Sequence, residues 1–233
     1  MNDIVITPDI PRLYTALAEW MACIVYISVL KRSFGGWKLV SLCFGALAVQ
    51  AVFLEATGGL PIAFWIPSMI SAIAIMFLFI YIACDVSFLD AGYFCVRAFV
   101  AAEFVASFEW QIHSYIWSGQ GVYHVPKAFL LFGIYIALFY IVWVIEKKHI
   151  PDSGKMHVQK KEFWSAFIIG VSVFAISNLS FISARTPFSG EYAREIFNIR
   201  TMVNLGGVAI LFAHHVQCCE LRVRRELDRK SVV

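Results

Sequence analysis

The fold is decided by residues 62–83, an apolar stretch without a charged residue that reads IAFWIPSMISAIAIMFLFIYIA. An α-helix needs about 20 mostly apolar residues to cross the roughly 30 Å hydrocarbon core of a bilayer. Residues 128–145 and 163–182 form two further uncharged stretches of similar length. Backbone polar groups in that core must be bonded internally, which a helix achieves within a single segment. These three stretches therefore predict transmembrane helices.

The composition of the whole chain fits the same class. Of 233 residues, 60% are hydrophobic and 15% are charged, and the mean hydropathy is +0.74. Soluble domains average about 45–50% apolar and about 25% charged residues, so an ordinary cytosolic domain is excluded, as are a disordered chain and a small disulfide scaffold. We predict an all-α polytopic membrane bundle of about seven transmembrane helices. The candidate spans are 13–30, 37–54, 62–83, 91–117, 128–145, 163–182 and 201–216.

Basic residues are divided unevenly between the two sides of these spans. Thirteen Lys and Arg residues lie in or beside the first connection, the fifth connection and the segment after the last span, at 31–38, 147–161 and 222–230. Five lie on the other side. Short cytoplasmic loops carry an excess of Lys and Arg, so we expect the amino terminus outside and the carboxy terminus in the cytosol. The net charge of +3 is too small and too dispersed to indicate a nucleic-acid partner. The partner that composition indicates is the lipid bilayer.

The fourth span is unusual because it contains several ionisable residues. Arg97 lies within it, Glu103 lies roughly 18 Å along the helix from its start, and Glu109 is four residues from His113. Ionisable groups are costly inside a bilayer, so they usually face a partner or a wet cavity and often mark function. Asp90 and Arg97 are seven residues apart and share a helix face. Two interpretations stay open: a buried polar cluster that fixes helix packing, or a relay that carries a conformational signal.

A second group of chemically active residues lies at the end of the last span. These residues are His214, His215, Cys218 and Cys219. A His and a Cys four residues apart share a helical face and can hold a soft metal. The alternative is a set of interfacial polar residues beside reduced thiols, and we predict neither a metal site nor a cofactor. The chain has no His-Glu-x-x-His motif, nucleophile elbow or phosphate-binding loop, so we name no catalytic residue.

The carboxy-terminal segment has the pattern of a solvated helix. Residues 220–230 place opposite charges four apart, at 220/224, 222/226, 224/228 and 226/230, and each such pair stabilises a helix by a few tenths of a kcal/mol. A last span that continues into this segment would act as a rigid connector to a cytosolic output. The alternative is a basic tail attracted to anionic lipid.

Several short motifs together carry a resemblance to a known family. They are WIP at 65–67, CDVSFLDAGY at 84–93, RAFVAAEF at 97–104, FEWQ at 108–111, TPFSG at 186–190 and RELD at 225–228. With this combination, nearly the whole chain resembles the membrane sensor region of GHKL-type sensor histidine kinases of Gram-positive bacteria.

The resemblance implies a particular domain organisation. Residues 1–216 would form a seven-helix membrane sensor domain and 217–233 the start of a cytosolic signalling helix, while the kinase domain would be absent from this truncated chain. The protein would be a multi-pass component of the bacterial plasma membrane and a homodimer. It would contact a response regulator only through the missing kinase part, and these residues alone would have no autokinase activity.

Two functional hypotheses follow. In the first, an extracellular peptide or small molecule contacts a loop that includes Phe188, Tyr192 and Arg194, and the signal passes through a relay of four residues. That relay would consist of Arg97, Glu103, Glu109 and Asn178. In the second hypothesis, the chain is a small transporter or intramembrane enzyme that uses Glu19 and Glu103 in a polar pathway.

Overall fold

The computed structural model describes residues 10–60, 62–117, 127–151, 153–154, 156–178 and 193–231. These residues form seven α-helices and no β-strand, and the prediction of an all-helical fold is confirmed. The helices are α1 (Arg12–Val29), α2 (Gly36–Thr57), α3 (Ile62–Ala83), α4 (Phe88–Trp117), α5 (Lys127–His149), α6 (Lys160–Ser177) and α7 (Ala193–Ser231).

Six of the seven helices are long and apolar enough to cross a membrane, namely α1 to α5 and α7. The sixth helix differs from the predicted span 163–182 because it begins earlier, at Lys160, and its described part ends at Ser177. Three of its residues, at 160, 161 and 162, are charged, which lowers its hydropathy. Residues 179–182 of the predicted span lie outside the described part of the chain.

The centre of the bundle is α4, the helix that carries the ionisable residues. It packs against α1, α3, α5, α6 and α7. Of its spanning segment 78% is buried inside the bundle, compared with 11% for α2 and 17% for α5. The polar residues of α4 are therefore surrounded by protein, while α2 and α5 present apolar side chains outward, as helices in contact with lipid do.

Three helix connections meet at one end of the bundle. The backbone N–H of Lys31, after α1, donates to the carbonyl of Gly154, after α5, at 2.9 Å, and Asp85, after α3, donates to the carbonyl of Lys31 at 2.7 Å. Gly154 has φ of +62°, and a Cβ there would lie 2.5 Å from the backbone N of Lys31, so only glycine fits. Successive helices therefore run in opposite directions. The meeting end holds most of the basic residues, and we call it the base-rich end.

The last helix is the longest element. Its 39 residues extend about 58 Å at 1.5 Å per residue, roughly twice the thickness of the hydrocarbon core. The sequence predicts a span at 201–216 followed by a charged helix, and the structure joins both in one unbroken helix that starts eight residues earlier, at Ala193. At the base-rich end Arg222 of α7 forms an ion pair with Glu162 of α6.

Candidate functional site

A buried polar cluster links four helices in the half of the bundle nearest the base-rich end. Arg97 of α4 forms an ion pair with Glu146 of α5, and the two side chains are only 3% and 4% exposed. The hydroxyl of Tyr26, on α1, donates to the same carboxylate at 3.0 Å. Arg97 also donates to the carbonyl of Leu211, on α7, at 3.0 Å. One guanidinium therefore holds α4, α5 and α7 together.

The cluster continues to a fully buried histidine on the last helix. Arg97 donates to the hydroxyl of Tyr93 at 3.3 Å, and that hydroxyl lies 3.2 Å from Nδ1 of His215. The other ring nitrogen of His215 lies 3.7 Å from the sulfur of Cys219. We call Tyr26, Tyr93, Arg97, Glu146 and His215 the inner cluster. Its members are buried and in contact, so a change in any of them alters the contacts of the helices that carry the others.

Of the four predicted relay residues, only Arg97 belongs to the inner cluster. Sequence reasoning missed Glu146 because the uncharged stretch stops at Ile145 and Glu146 reads as the start of a connection, whereas α5 continues to His149. The sequence also places Asp90 seven residues before Arg97, and both lie on α4. The Asp90 carboxylate accepts hydrogen bonds from the backbone N–H of Val158 at 2.7 Å and from the hydroxyl of Ser87 at 2.7 Å. Asp90 thus fixes the start of α4 to the α5–α6 connection.

A second set of polar contacts joins α4 directly to α7. Arg200 donates to Glu103 at 2.8 Å, with the two side chains 10% and 4% exposed. One turn further along α4, Ser107 accepts a hydrogen bond from the side-chain amide of Asn204 at 3.4 Å. We call these two pairs the α4–α7 seam. Glu103 lies inside the bundle, as predicted, and its carboxylate is paired with an arginine that the sequence analysis placed in a connection.

Glu109, another predicted relay residue, lies on α4 beside residues that pack against α1. Its carboxylate is fully buried and lies 3.4 Å from Nδ1 of His113, so the predicted neighbour relation is observed. The ring of His113 stacks on Trp110 with centroids 4.9 Å apart, and Tyr14 of α1 packs edge-on against both rings. This group is densely packed.

A cavity of about 550 Å³ lies between α4 and α7, in the half of the bundle away from the base-rich end. Apolar and aromatic side chains form most of its described wall, and polar side chains contribute the rest. The apolar members are Phe104, Phe108, Ile112, Tyr115, Met202 and Leu205, and the polar members are Gln111, Ser114, Asn198 and Thr201. The cavity borders the α4–α7 seam, because Phe104 follows Glu103 and Thr201 follows Arg200.

The remaining predicted site residues are Asn178, Phe188, Tyr192 and Arg194. Asn178 donates to the carbonyl of Phe174 at 2.9 Å within its own helix end. Phe188 and Tyr192 lie outside the described residues, and for Arg194 the structure describes the helical backbone of α7.

The two His–Cys pairs of α7 also stay separate. The ring of His214 lies 3.8 Å from the sulfur of Cys218, and His215 with Cys219 forms the pair of the inner cluster. Among the residues that the structure describes, no group of three or more His, Cys, Asp or Glu is arranged to hold a metal ion.

The carboxylates of the transporter hypothesis are engaged with neighbouring side chains. Glu19, which is fully buried in α1, accepts a hydrogen bond from Gln50 of α2. Glu103 is paired with Arg200. Each carboxylate thus joins two helices, which is what a packing or coupling role requires.

Comparison with family models, with curated proteins and with solved structures finds no match. The resemblance to sensor kinases therefore stays a prediction from short motifs.

Proposed function

We propose that this protein is a membrane receptor module in which α7 carries a signal from the cavity to the base-rich end. The observation that supports the proposal is the course of α7. This one unbroken helix lines the cavity at Thr201, joins the seam through Arg200 and the inner cluster through His215, and then continues as a charged helix. A ligand that displaces its first turns would thus act on an element that reaches the other end.

The contacts between α4 and α7 suit a two-state relay. A ligand shifts a conformational equilibrium only by the difference in its affinity for the two states. The Glu103–Arg200 pair, which joins α4 to α7, is buried, and a buried ion pair tolerates few intermediate geometries because separating the charges is costly. Small displacements of α7 would therefore favour a switch between discrete arrangements over a continuous bend.

We further propose that the base-rich end faces the cytosol and the amino terminus lies outside. The positive-inside rule carries this assignment, because most of the basic residues lie at this end, in the connections, in the adjoining helix ends and in the last part of α7. The cavity would then open on the outer half of the membrane, on the side from which an external signal arrives. The protein would be a multi-pass protein of the bacterial plasma membrane.

The resemblance to GHKL-type sensor histidine kinases supplies the proposed output. In that scheme two copies pair, the charged part of α7 leads to a kinase domain, and the response regulator contacts that domain. The signal would be an extracellular peptide or a small molecule.

A fusion tests the receptor proposal. The chain is joined at Val233 to the cytosolic part of a sensor kinase whose output drives a reporter gene. Reporter output is measured per folded molecule in the membrane. Glu103→Gln removes the charge that pairs with Arg200 and keeps the shape, so we expect basal output to change by about fivefold or more, the lower end of typical coupling energies. Glu55→Gln, at an exposed position of α2, is the matched control. Unchanged output for Glu103→Gln with normal folding would contradict the relay.

A further inference from the structure

We propose that the cavity between α4 and α7 binds a neutral single-chain amphiphile that enters sideways from the outer leaflet of the bilayer. The ligand class is an uncharged molecule with one hydrocarbon chain and a hydroxyl-bearing head, such as a monoacylglycerol. The biological role of this binding rests on the proposed receptor function, but the binding itself does not depend on it.

The size and wall of the cavity fit a hydrocarbon chain. Its volume of about 550 Å³ is within the range of about 300–1,000 Å³ that small-molecule sites occupy. The lining residues of α4 run from Phe104 to Tyr115, which is roughly 16 Å along the helix axis. Three aromatic rings of α4 line this length, at 104, 108 and 115. The α4 wall of the cavity is therefore long and largely apolar.

A buried hydroxyl points to a polar group on the ligand. Thr201 lines the cavity and is 3% exposed, and its Oγ1 has no hydrogen-bond partner among the described residues. A buried hydroxyl without a partner is unfavourable by about 1–3 kcal/mol on the scale of protein substitutions. A ligand hydroxyl or ester oxygen beside it would remove that penalty.

The polar part of the wall indicates that the ligand head is uncharged. Gln111 donates a hydrogen bond to Asn198 at the cavity, and Ser114 and Thr201 supply hydroxyls. All four are neutral, and no charged side chain belongs to the described lining. A charged head would lose hydration there without gaining a counter-ion, so a fatty acid or a cationic amphiphile fits less well than an alcohol.

The exposed rim of the cavity indicates where the ligand enters. Met202 is 65% exposed and Leu205 is 44% exposed, and both belong to the spanning part of α7. In a bilayer such side chains contact lipid chains. A molecule already dissolved in the outer leaflet reaches the cavity past these two residues without crossing water, which favours the membrane as the source.

The test uses the full chain in phosphatidylcholine nanodiscs and a monoacylglycerol probe with a diazirine in its acyl chain. After irradiation, labelled peptides are located by mass spectrometry, and competition with unlabelled monoacylglycerol gives the affinity. We expect saturable labelling within 104–115 and 198–205. Thr201→Val keeps the shape and removes the hydroxyl, and we expect it to weaken binding about three- to tenfold, as the loss of one hydrogen bond does.

Leu205→Trp fills the cavity and should abolish saturable labelling. Ile210→Trp is the matched control, since Ile210 is an exposed residue of the same helix that does not line the cavity, and it should leave labelling unchanged. Labelling that is spread evenly over the outward faces of α2 and α5, or that survives Leu205→Trp, would overturn the site. Equal affinity for the corresponding fatty acid would overturn the requirement for a neutral head. These outcomes concern binding alone, so they are distinct from a failure of the kinase fusion to respond.

Discussion

Removing one charge of the inner cluster should destabilise the bundle far more than removing an exposed charge. The Arg97–Glu146 pair is 3% and 4% exposed. Glu146→Leu leaves the guanidinium buried without its carboxylate, and breaking a buried pair in this way costs about 3–5 kcal/mol. The bonds that Arg97 keeps, to Tyr93 and to the carbonyl of Leu211, do not neutralise its charge. We therefore expect the unfolding free energy to fall by about that amount.

The assay is equilibrium unfolding in mixed micelles with increasing SDS, followed by circular dichroism. Lys31→Met is the control, because the Lys31–Asp85 pair at the base-rich end is about half exposed, at 50% and 51%, and exposed pairs contribute about 0–1 kcal/mol. The double variant Arg97→Leu/Glu146→Leu removes both charges and should regain much of the loss. If Glu146→Leu is as mild as the control, or if the double variant is no more stable than Glu146→Leu alone, the reasoning is wrong.

Three further predictions concern packing and orientation. Gly207→Val should destabilise the bundle by about 1–3 kcal/mol through overpacking, because a Cβ at Gly207 would lie 2.7 Å from a methyl group of Val173. The same change at Gly206 is the control, because a Cβ there would meet nothing within 4 Å. It should be tolerated in the same unfolding assay. Asp90→Ala should release the α5–α6 connection and speed tryptic cleavage at the lysines that begin α6, because the Asp90 carboxylate holds the N–H of Val158; an unchanged cleavage rate would contradict this. A cysteine introduced into the α5–α6 connection should react with a membrane-impermeant maleimide only after the cells are opened, and labelling of intact cells would reverse the proposed orientation.

The helices were largely predictable because apolar stretches near the length of a bilayer crossing leave few alternatives. The end of α5 and the start of α7 were not, since α5 continues past its last apolar residue to His149 and α7 begins at Ala193, before its apolar stretch. In a membrane protein a charge can lie inside a helix when a partner from another helix neutralises it. Glu146 and Arg200 are such residues, and the chain alone does not indicate that their partners are Arg97 and Glu103.

The candidate site was only partly predictable for a related reason. Ionisable residues in a span are conspicuous, so Arg97, Glu103 and Glu109 were found from the sequence. Tyr26 and Thr201 are ordinary residues of apolar stretches, and only the structure shows that one bonds a buried carboxylate and that the other faces a cavity. Spacing along a helix identifies neighbours on that helix but gives no information about contacts between helices.

Insertions into α7 show whether this helix transmits the signal as a rigid element. In the kinase fusion, one to seven alanines are inserted after Arg224, beyond the ion pair of Arg222 with Glu162. Each added residue turns the following helix by about 100°. If α7 is rigid, reporter output should oscillate with the number of inserted residues and recover near four and seven. Output that is constant, or that simply declines with length, would contradict transmission through α7.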